Sequence, residues 1–551
     1  MLGFLELAVA YRTWRDGNPE DPPSARKKLR NELRKTASKL EEESISLESV
    51  MAEFKLSNNT LKRMMSHMSD NMDRGLEKGL PGSTIAMLPS FVPELPDGTE
   101  RGTYVAMDLG GTNLRVMIMH IEPGEPMRTK QFNTRIPDKA MHGSGRQLFD
   151  YIAKALCDFL VEKDLADQNL PVGFTFSYPC NQTGLRSATL LRWTKGVTAT
   201  GVVGKDVVQM LEEAIKRDGR AKVEIVALIN DTVGTMVAAA YESRQCDLGV
   251  IIGTGTNASY LEDTKKIVYG MQNADDDYLH SQMIIDTEWG GFGDRNEAEY
   301  IVTQYDKIID KRSDHPGVNT FDKLVAGMCM GELVRLVLEK LCTSKVLFNG
   351  NASKLLKTPG KFPTKYISEI LHDEGGSYTN TRQIMDELGI EDFTFSDMLL
   401  LREVCMVVSR RSANLAAAAI VCVLNRVSKK NLLTVAIDGS TYKYHPFFDH
   451  WVTEKVKELL DPGKEFKIVQ TGDGSGKGAA LIAAIVSRVK KAEEKRKQDE
   501  EQQKLEEEKR KLEEMENIRK EKLMEEERAR RYQDLLNYGD ERISERSNQL
   551  S

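Results

Sequence analysis

Four segments set glycines, hydroxyls and carboxylates at the ends of short apolar runs, an arrangement suited to holding phosphate. Residues 108–115 read DLGGTNLR and join the apolar run 104–109 to a second at 114–120. Gly110 and Gly111 carry no Cβ, so backbone N–H groups can approach an anion; Thr112 and Asn113 add side-chain donors, and Asp108 can orient a metal-bound water. On its own this segment is equally an ordinary hairpin turn. A second run, 248–252, enters Gly253, Thr254, Gly255, Thr256 and Asn257, and two such turns suit the two ends of a polyphosphate. A third, 432–437, meets Asp438, Gly439 and Ser440, the last two placed for backbone contact with a nucleoside. The fourth segment, GDGSGKGAAL at 472–481, has the outline of a Walker A loop, but Gly478 follows Lys477. No Ser or Thr hydroxyl stands there to ligate magnesium, so the P-loop reading fails. Nor does a GxGxxG stand between strand and helix in the Rossmann manner.

Phosphoryl transfer to an alcohol also needs a base at the hydroxyl. Asp231, in ALINDTVGTM at 227–236, follows an apolar run that ends at Ile229 and precedes a helix of small residues. It therefore projects beside a helix N-terminus, a common position for a reactive group. Lys195, in RWTKG at 192–196, can hold a sugar and offset charge on phosphate oxygens; taken singly, a surface salt bridge is its simpler role. The triplet Asn230-Asp231-Thr232 matches a glycosylation sequon, a coincidence in the absence of a secretory signal.

The elements that position these groups follow from pattern. Short apolar runs at 104–109, 172–176, 223–229, 248–252, 432–437 and 466–469 alternate with longer helical stretches, which predicts an α/β architecture. A chain of 551 residues with 40% apolar content buries a large core. Its formal charge of -7 gives no basic footprint, so nucleic acid is excluded as the expected partner. Seven scattered cysteines without a CxxC pair read as reduced core thiols. The apolar opening 1–11 contains Glu6 and lacks a basic flank, so a secretory signal is not expected, and no run is read as a membrane span. Residues 490–531 hold 15 basic and 15 acidic residues without glycine or proline. This predicts a solvated charged helix, single or weakly self-associating, because Leu505, Leu512, Met515, Ile518 and Leu523 keep a coiled-coil register poorly.

Taken in order, the segments resemble the hexokinase family. The matching stretches are DLGGTNLRV at 108–116, FTFSYPC at 174–180, RWTKG, NDTVGTM at 230–236, IGTGTNASYLED at 252–263, TEWGGFGD at 287–294, MGELVRL at 330–336 and GDGSGKGAAL. The resemblance implies a two-lobed actin-like ATPase (ribonuclease H-like) α/β fold with a cleft between lobes, plus the C-terminal charged helix. It implies an N-terminal helical extension at 1–45, a large lobe from 46–97 and 231–477, a small lobe from 98–230 and 478–490, and a tail at 491–551. It implies transfer of the γ-phosphate of MgATP to the 6-hydroxyl of a hexose, with Asp231 as base and Lys195 assisting. Ser177, Thr194, Lys195, Asn230, Asn257, Asp286, Glu288, Asn319 and Asp322 would bind the sugar. Asp108, Leu109, Gly110, Gly111, Thr112, Asn113, Gly253, Thr254, Gly255, Thr256, Gly439 and Ser440 would bind ATP, with Mg²⁺ held mainly by ATP and water. Three sugar-side positions depart from the family pattern: Asp286 replaces Asn, Asp322 replaces Glu, and Asn319 replaces Gln. Asp286 adds a negative charge near Asp231 and Glu288, which should raise a carboxylate pKa. A weakly active or inactive sugar sensor or scaffold is the alternative these departures raise. Expected partners are hexose and ATP, with the tail a candidate protein-binding or self-associating helix. The expected location is the cytosol, with peripheral mitochondrial association left open.

Overall fold

In the computed structural model, residues 47–548 are described, apart from 93, 111–112, 194–196, 272–280, 374–377, 428–430 and 473. The expected helical extension at 1–45 lies outside the described residues. Two sheets dominate. The first has the order β4-β3-β2-β5-β8, from β2 (Gly102–Gly110), β3 (Asn113–Ile121), β4 (Arg128–Arg135), β5 (Leu170–Phe176) and β8 (Val223–Ile229). The hairpin β2–β3 is antiparallel, and β5 and β8 add in parallel. The inner strands read as nearly continuous apolar runs, as strands covered on both faces must. The edge strand β4 is exposed along most of its length and carries Arg128, Lys130 and Arg135, which discourages further strand pairing. A short hairpin, β6 (Cys180–Gly184) with β7 (Ser187–Leu190), stands beside this sheet's strand ends.

The second sheet has the order β1-β11-β10-β9-β12-β13, from β1 (Leu88–Pro89), β9 (Leu248–Ile252), β10 (Thr256–Asp263), β11 (Gln282–Asp286), β12 (Leu432–Asp438) and β13 (Glu465–Gln470). Here β9, β10 and β11 form a meander, while β12 runs parallel to both β9 and β13. Each sheet has its own apolar core, one running through Val105, Phe149, Phe174 and Trp193, the other through Met68, Val250, Trp289, Phe321 and Val421. Two cores of this kind make the two lobes expected from sequence.

Helices α1 (Asn58–Lys78), α2 (Gly145–Glu162) and α3 (Val207–Asp218) start at side-chain caps, Ser57, Ser144 and Asp206, which satisfy otherwise orphaned N–H groups. Between the lobes, α4 (Asp231–Ser243) follows β8 directly. In the larger lobe, α5 (Thr320–Val325) and α6 (Gly327–Thr343) precede α7 (Phe395–Arg426). Contrary to the expectation above, α7 is long and apolar enough to match a bilayer span. Its residues 415–424 are all buried in the larger core, so its apolarity is that of a central core helix. Two further helices follow, α8 (Ser440–Tyr444) and α9 (Phe448–Leu459).

The last helix, α10, spans Gly474–Asn548. GDGSGKGAAL, whose outline in the sequence is that of a rejected Walker A loop, is therefore mostly the opening of a helix. Its first turns are buried at 479–485. Gly478 lies against Gly234 of α4, where a Cβ would fall 2.0 Å from the Gly234 carbonyl oxygen. Only glycine permits that approach. A second compact unit begins at Ser487. Its helix is solvent-exposed from 490 to 536, with i,i+4 pairs such as Arg496–Glu500 and Lys511–Glu507. This is the solvated charged helix that the composition predicts.

Candidate active site

A cleft of about 1320 Å³ lies between the lobes and gathers most of the singled-out residues: Asp108, Gly110, Asn113, Ser177, Asn230, Asp231, residues 253–257, Glu288, Asn319, Asp322, Gly439 and Ser440. Gly111, Thr112, Thr194 and Lys195 lie outside the described residues. Leu109 sits behind the wall, buried, with its carbonyl accepting from Ser177 N–H at 3.4 Å.

The glycine turns are fixed by mutual bonds. Asp108, at the end of β2, accepts from Ser475 Oγ at 2.9 Å, which ties the first turn to the start of α10. In the second turn, Gly253 N–H donates to Gly255 O at 2.9 Å, and Thr256 N–H donates to Asp322 Oδ1 at 2.7 Å. Gly253 O in turn accepts from Gly327 N–H at 2.9 Å and from Thr441 Oγ1 at 3.0 Å. In the third, Asp438 accepts from Gly439 N–H at 2.7 Å and from Gly474 N–H at 2.9 Å. Gly439 has φ 120°, and a Cβ there would lie 2.4 Å from Ile252 O. Backbone from three distant segments thus meets at one wall.

The opposite part of the cleft is a knot of amides and carboxylates. Asn230 caps α4, accepting from Thr232 N–H at 3.0 Å, and donates to Glu288 Oε1 at 3.3 Å. Asp231 is the first residue of α4, one step further into the helix than the sequence reading placed it. Asn257 Nδ2 donates to Asp286 Oδ1 at 2.7 Å and to Glu288 Oε1 at 3.3 Å. Glu288 itself sits at φ 51°, in the left-handed region, which turns it out of β11 toward this knot. Burial, then the neighbouring Glu288 and Asp231 carboxylates, hold the Asp286 carboxyl well above the usual range; the Asn257 amide works the other way. The expectation of a raised carboxylate pKa is realised at Asp286 itself.

Two further sequence candidates are engaged by neighbours. Asp322 stands against the second turn through Thr256, and Asn319 Oδ1 accepts from Arg192 Nη2 at 2.6 Å. Sequence reasoning passed over Arg192, Asp294 and Ser475, although each lies inside a quoted motif, and gave Asp438 no role. Among the described residues, no cluster of three or more His, Cys, Asp or Glu side chains could hold a metal. None of the seven cysteines forms a disulfide, and all are buried.

Comparison with known proteins agrees in each search. Hexokinase family models match residues 46–241 and 247–485. A hexokinase of Brugia malayi is 66% identical over 500 residues, 89% of this chain and 87% of that protein. Human hexokinase-2 is 40% identical over 443 residues, 79% of this chain and 47% of its own length, so the chain spans about half of that relative. A solved hexokinase from Schistosoma mansoni, complexed with glucose, superposes with a TM-score of 0.75 at 39% identity, covering 81% of this chain and 99% of that one.

Proposed function

The chain belongs to the hexokinase family, and on that premise we propose how its cleft carries out transfer of the ATP γ-phosphate to the 6-hydroxyl of a hexose. The observation that carries the reading is the convergence of three glycine turns with Asp231 in one cleft. The turn at 108–113 and the turn at 253–256 face the polyphosphate, where backbone N–H groups neutralise oxygen charge without a reorganisation cost. Gly439 and Ser440 face the nucleoside. Asp438 and Asp322 keep those turns in shape from behind.

Asn230, Asn257 and Glu288 hold sugar hydroxyls, glucose being the natural candidate given the sugar in the Schistosoma complex. Asp231 accepts the 6-hydroxyl proton as the sugar oxygen bonds to the γ-phosphorus. The bond from that phosphorus to the bridging oxygen breaks, and ADP leaves with the electron pair. Thr194 and Lys195 are assigned here by family motif alone. Mg²⁺ would be carried by ATP and water, with Asp108 able to hold one of its waters; when bound, it would offset phosphate charge. Seven buried cysteines outside any disulfide support a cytosolic location.

Hexose-dependent ADP release by the purified protein tests this reading, with glucose, mannose and fructose each carried to high millimolar. Asp231→Ala should lower kcat by at least ~100-fold, the usual contribution of a positioned base. Full turnover in that variant would reject Asp231 as the base. No turnover in the unaltered protein with any sugar would reject the kinase assignment.

A further inference from the structure

Arg192 opens the RWTKG segment of the smaller lobe, and Asn319 stands just before α5 in the larger. The hydrogen bond between them, Arg192 Nη2 to Asn319 Oδ1 at 2.6 Å, joins two residues that line the cleft. Each end is anchored in a different core. Beside Arg192, Trp193 donates its indole N–H to Ala199 O at 2.8 Å and packs against Tyr178 and Phe176, with ring centroids 4.9 and 6.0 Å away. All three rings belong to the smaller core.

On the other side, Asn319 is held at φ 57°. Its N–H and that of Thr320 donate to the two carboxylate oxygens of Asp294, at 3.1 and 2.8 Å. Two residues on, fully buried Phe321 packs edge-on against Trp289 and Phe292 in the larger core. Burial raises the Asp294 carboxyl, while the two backbone N–H donors and the Arg192 charge pull it down. The Arg192 cation thus faces an amide oxygen with a carboxyl group behind it. If the lobes rotate apart, the two ends travel with different cores and the bond must break.

We propose that the Arg192–Asn319 hydrogen bond is a latch across the cleft, which stabilises the closed arrangement of the lobes and so lowers the hexose concentration needed to reach it. Arg192 acts through the lobe equilibrium and is a positioning residue. The kinetic consequence rests on the hexokinase reading above; the structural consequence does not. A second effect follows for Asn319, whose side-chain oxygen is already committed to Arg192. Its contribution to the sugar is then indirect, through the latch, in contrast to the direct contact implied by family resemblance.

The energetics set the size of the effect. A single part-buried hydrogen bond of ordinary net strength shifts a two-state equilibrium by roughly two- to tenfold. Closure is worth having because water competes with the sugar for the phosphoryl group, and a shut cleft excludes it.

The test uses the full chain and three variants, Arg192→Ser, Asn319→Ala and the pair together. Arg192→Ser should raise the hexose KM roughly fivefold while kcat stays within about twofold, because the closed complex is less often reached but unchanged once formed. The double variant should be no worse than the poorer single variant, since both remove one bond. A readout independent of turnover is available because the native cysteines are all buried. Spin labels at Lys139→Cys and Lys354→Cys, one exposed position on each lobe, should report a longer interlobe distance in Arg192→Ser. Unchanged hexose KM and unchanged label distances, or single-variant effects that simply add, would overturn the latch. A protein that fails to phosphorylate any hexose would overturn the kinase reading instead, and the label distances would still decide on the latch.

Discussion

One wall of the cleft is made of backbone and the other of side chains. The glycine turns are set by backbone bonds such as Gly327 N–H to Gly253 O and by approaches as close as Gly439 to Ile252. The knot around Asn257 is amide and carboxylate, held by bonds between side chains. In the first wall a Cβ on Gly439 would clash, whereas a Cβ on Gly110, Gly253 or Gly255 would meet its neighbours no closer than 3.4 Å. The second answers to charge, because Glu288 and Asp231 lie close enough to the buried Asp286 to raise its carboxyl. A site that must cradle a polyanion gains from rigid, uncharged donors, whereas one that must choose a sugar gains from groups with individual directions.

The largest effect should come from the backbone wall. Gly439→Ala places a Cβ 2.4 Å from Ile252 O at a φ of 120°, strain of about 1–3 kcal/mol before any clash is counted. The expected result is an ATP KM raised at least ~10-fold with hexose binding by calorimetry retained, the strain falling on one wall. Equal damage to hexose binding would show that the two walls are one unit.

A smaller effect should come from the charged wall. Asp286 has a folded pKa above its unfolded value, so its contribution is fully present below about pH 4 and is lost as pH rises through the folded pKa. Asp286→Asn does not titrate and should therefore be increasingly more stable than the unaltered protein as pH rises, by at most ~1.4 kcal/mol per pH unit inside that window. Thermal melts at pH 5 and pH 8 would show this as a larger Tm gain at pH 8. A gain that is equal at both pH values would remove the charge argument and leave only shape.

The smallest effect should come from the tail. Deleting residues 491–551 removes the part of α10 whose described side chains, 491–536, are all exposed. Its ion pairs are of the surface kind, worth about 0–1 kcal/mol each. Both KM values and kcat should be unchanged, as steady-state kinetics would show; a shift in either would give the tail a part in the cleft.

Much of this was legible in the sequence. The turns at 108–113 and 253–257 could be read because glycine and hydroxyl chemistry acts within a few residues, and the α/β alternation because strand and helix periods are local. Asp231 was legible too, since a strand running into a small-residue helix fixes where its first residue points. The helical character of the GDGSGKGAAL segment was not legible, because glycines suppress the helical signal, while the packing of Gly478 on Gly234, more than 200 residues away, supplies what propensity lacks. The span-like α7 was missed for a related reason: its polar residues interrupt the apolar run, and only burial shows which face matters.

The sequence by itself determined the kind of chemistry, the positions of the glycine turns and of Asp231, and the charged final helix, all properties that short stretches of chain carry unaided. Only the tertiary structure decided that Asp322 supports a glycine turn 66 residues away, that Arg192 reaches Asn319 across 127 residues, and that Asp286 is crowded by two other carboxylates. Contacts at such separations depend on how two independent cores are set against each other. No local pattern encodes that arrangement, because its energy is spread over the packing of both lobes.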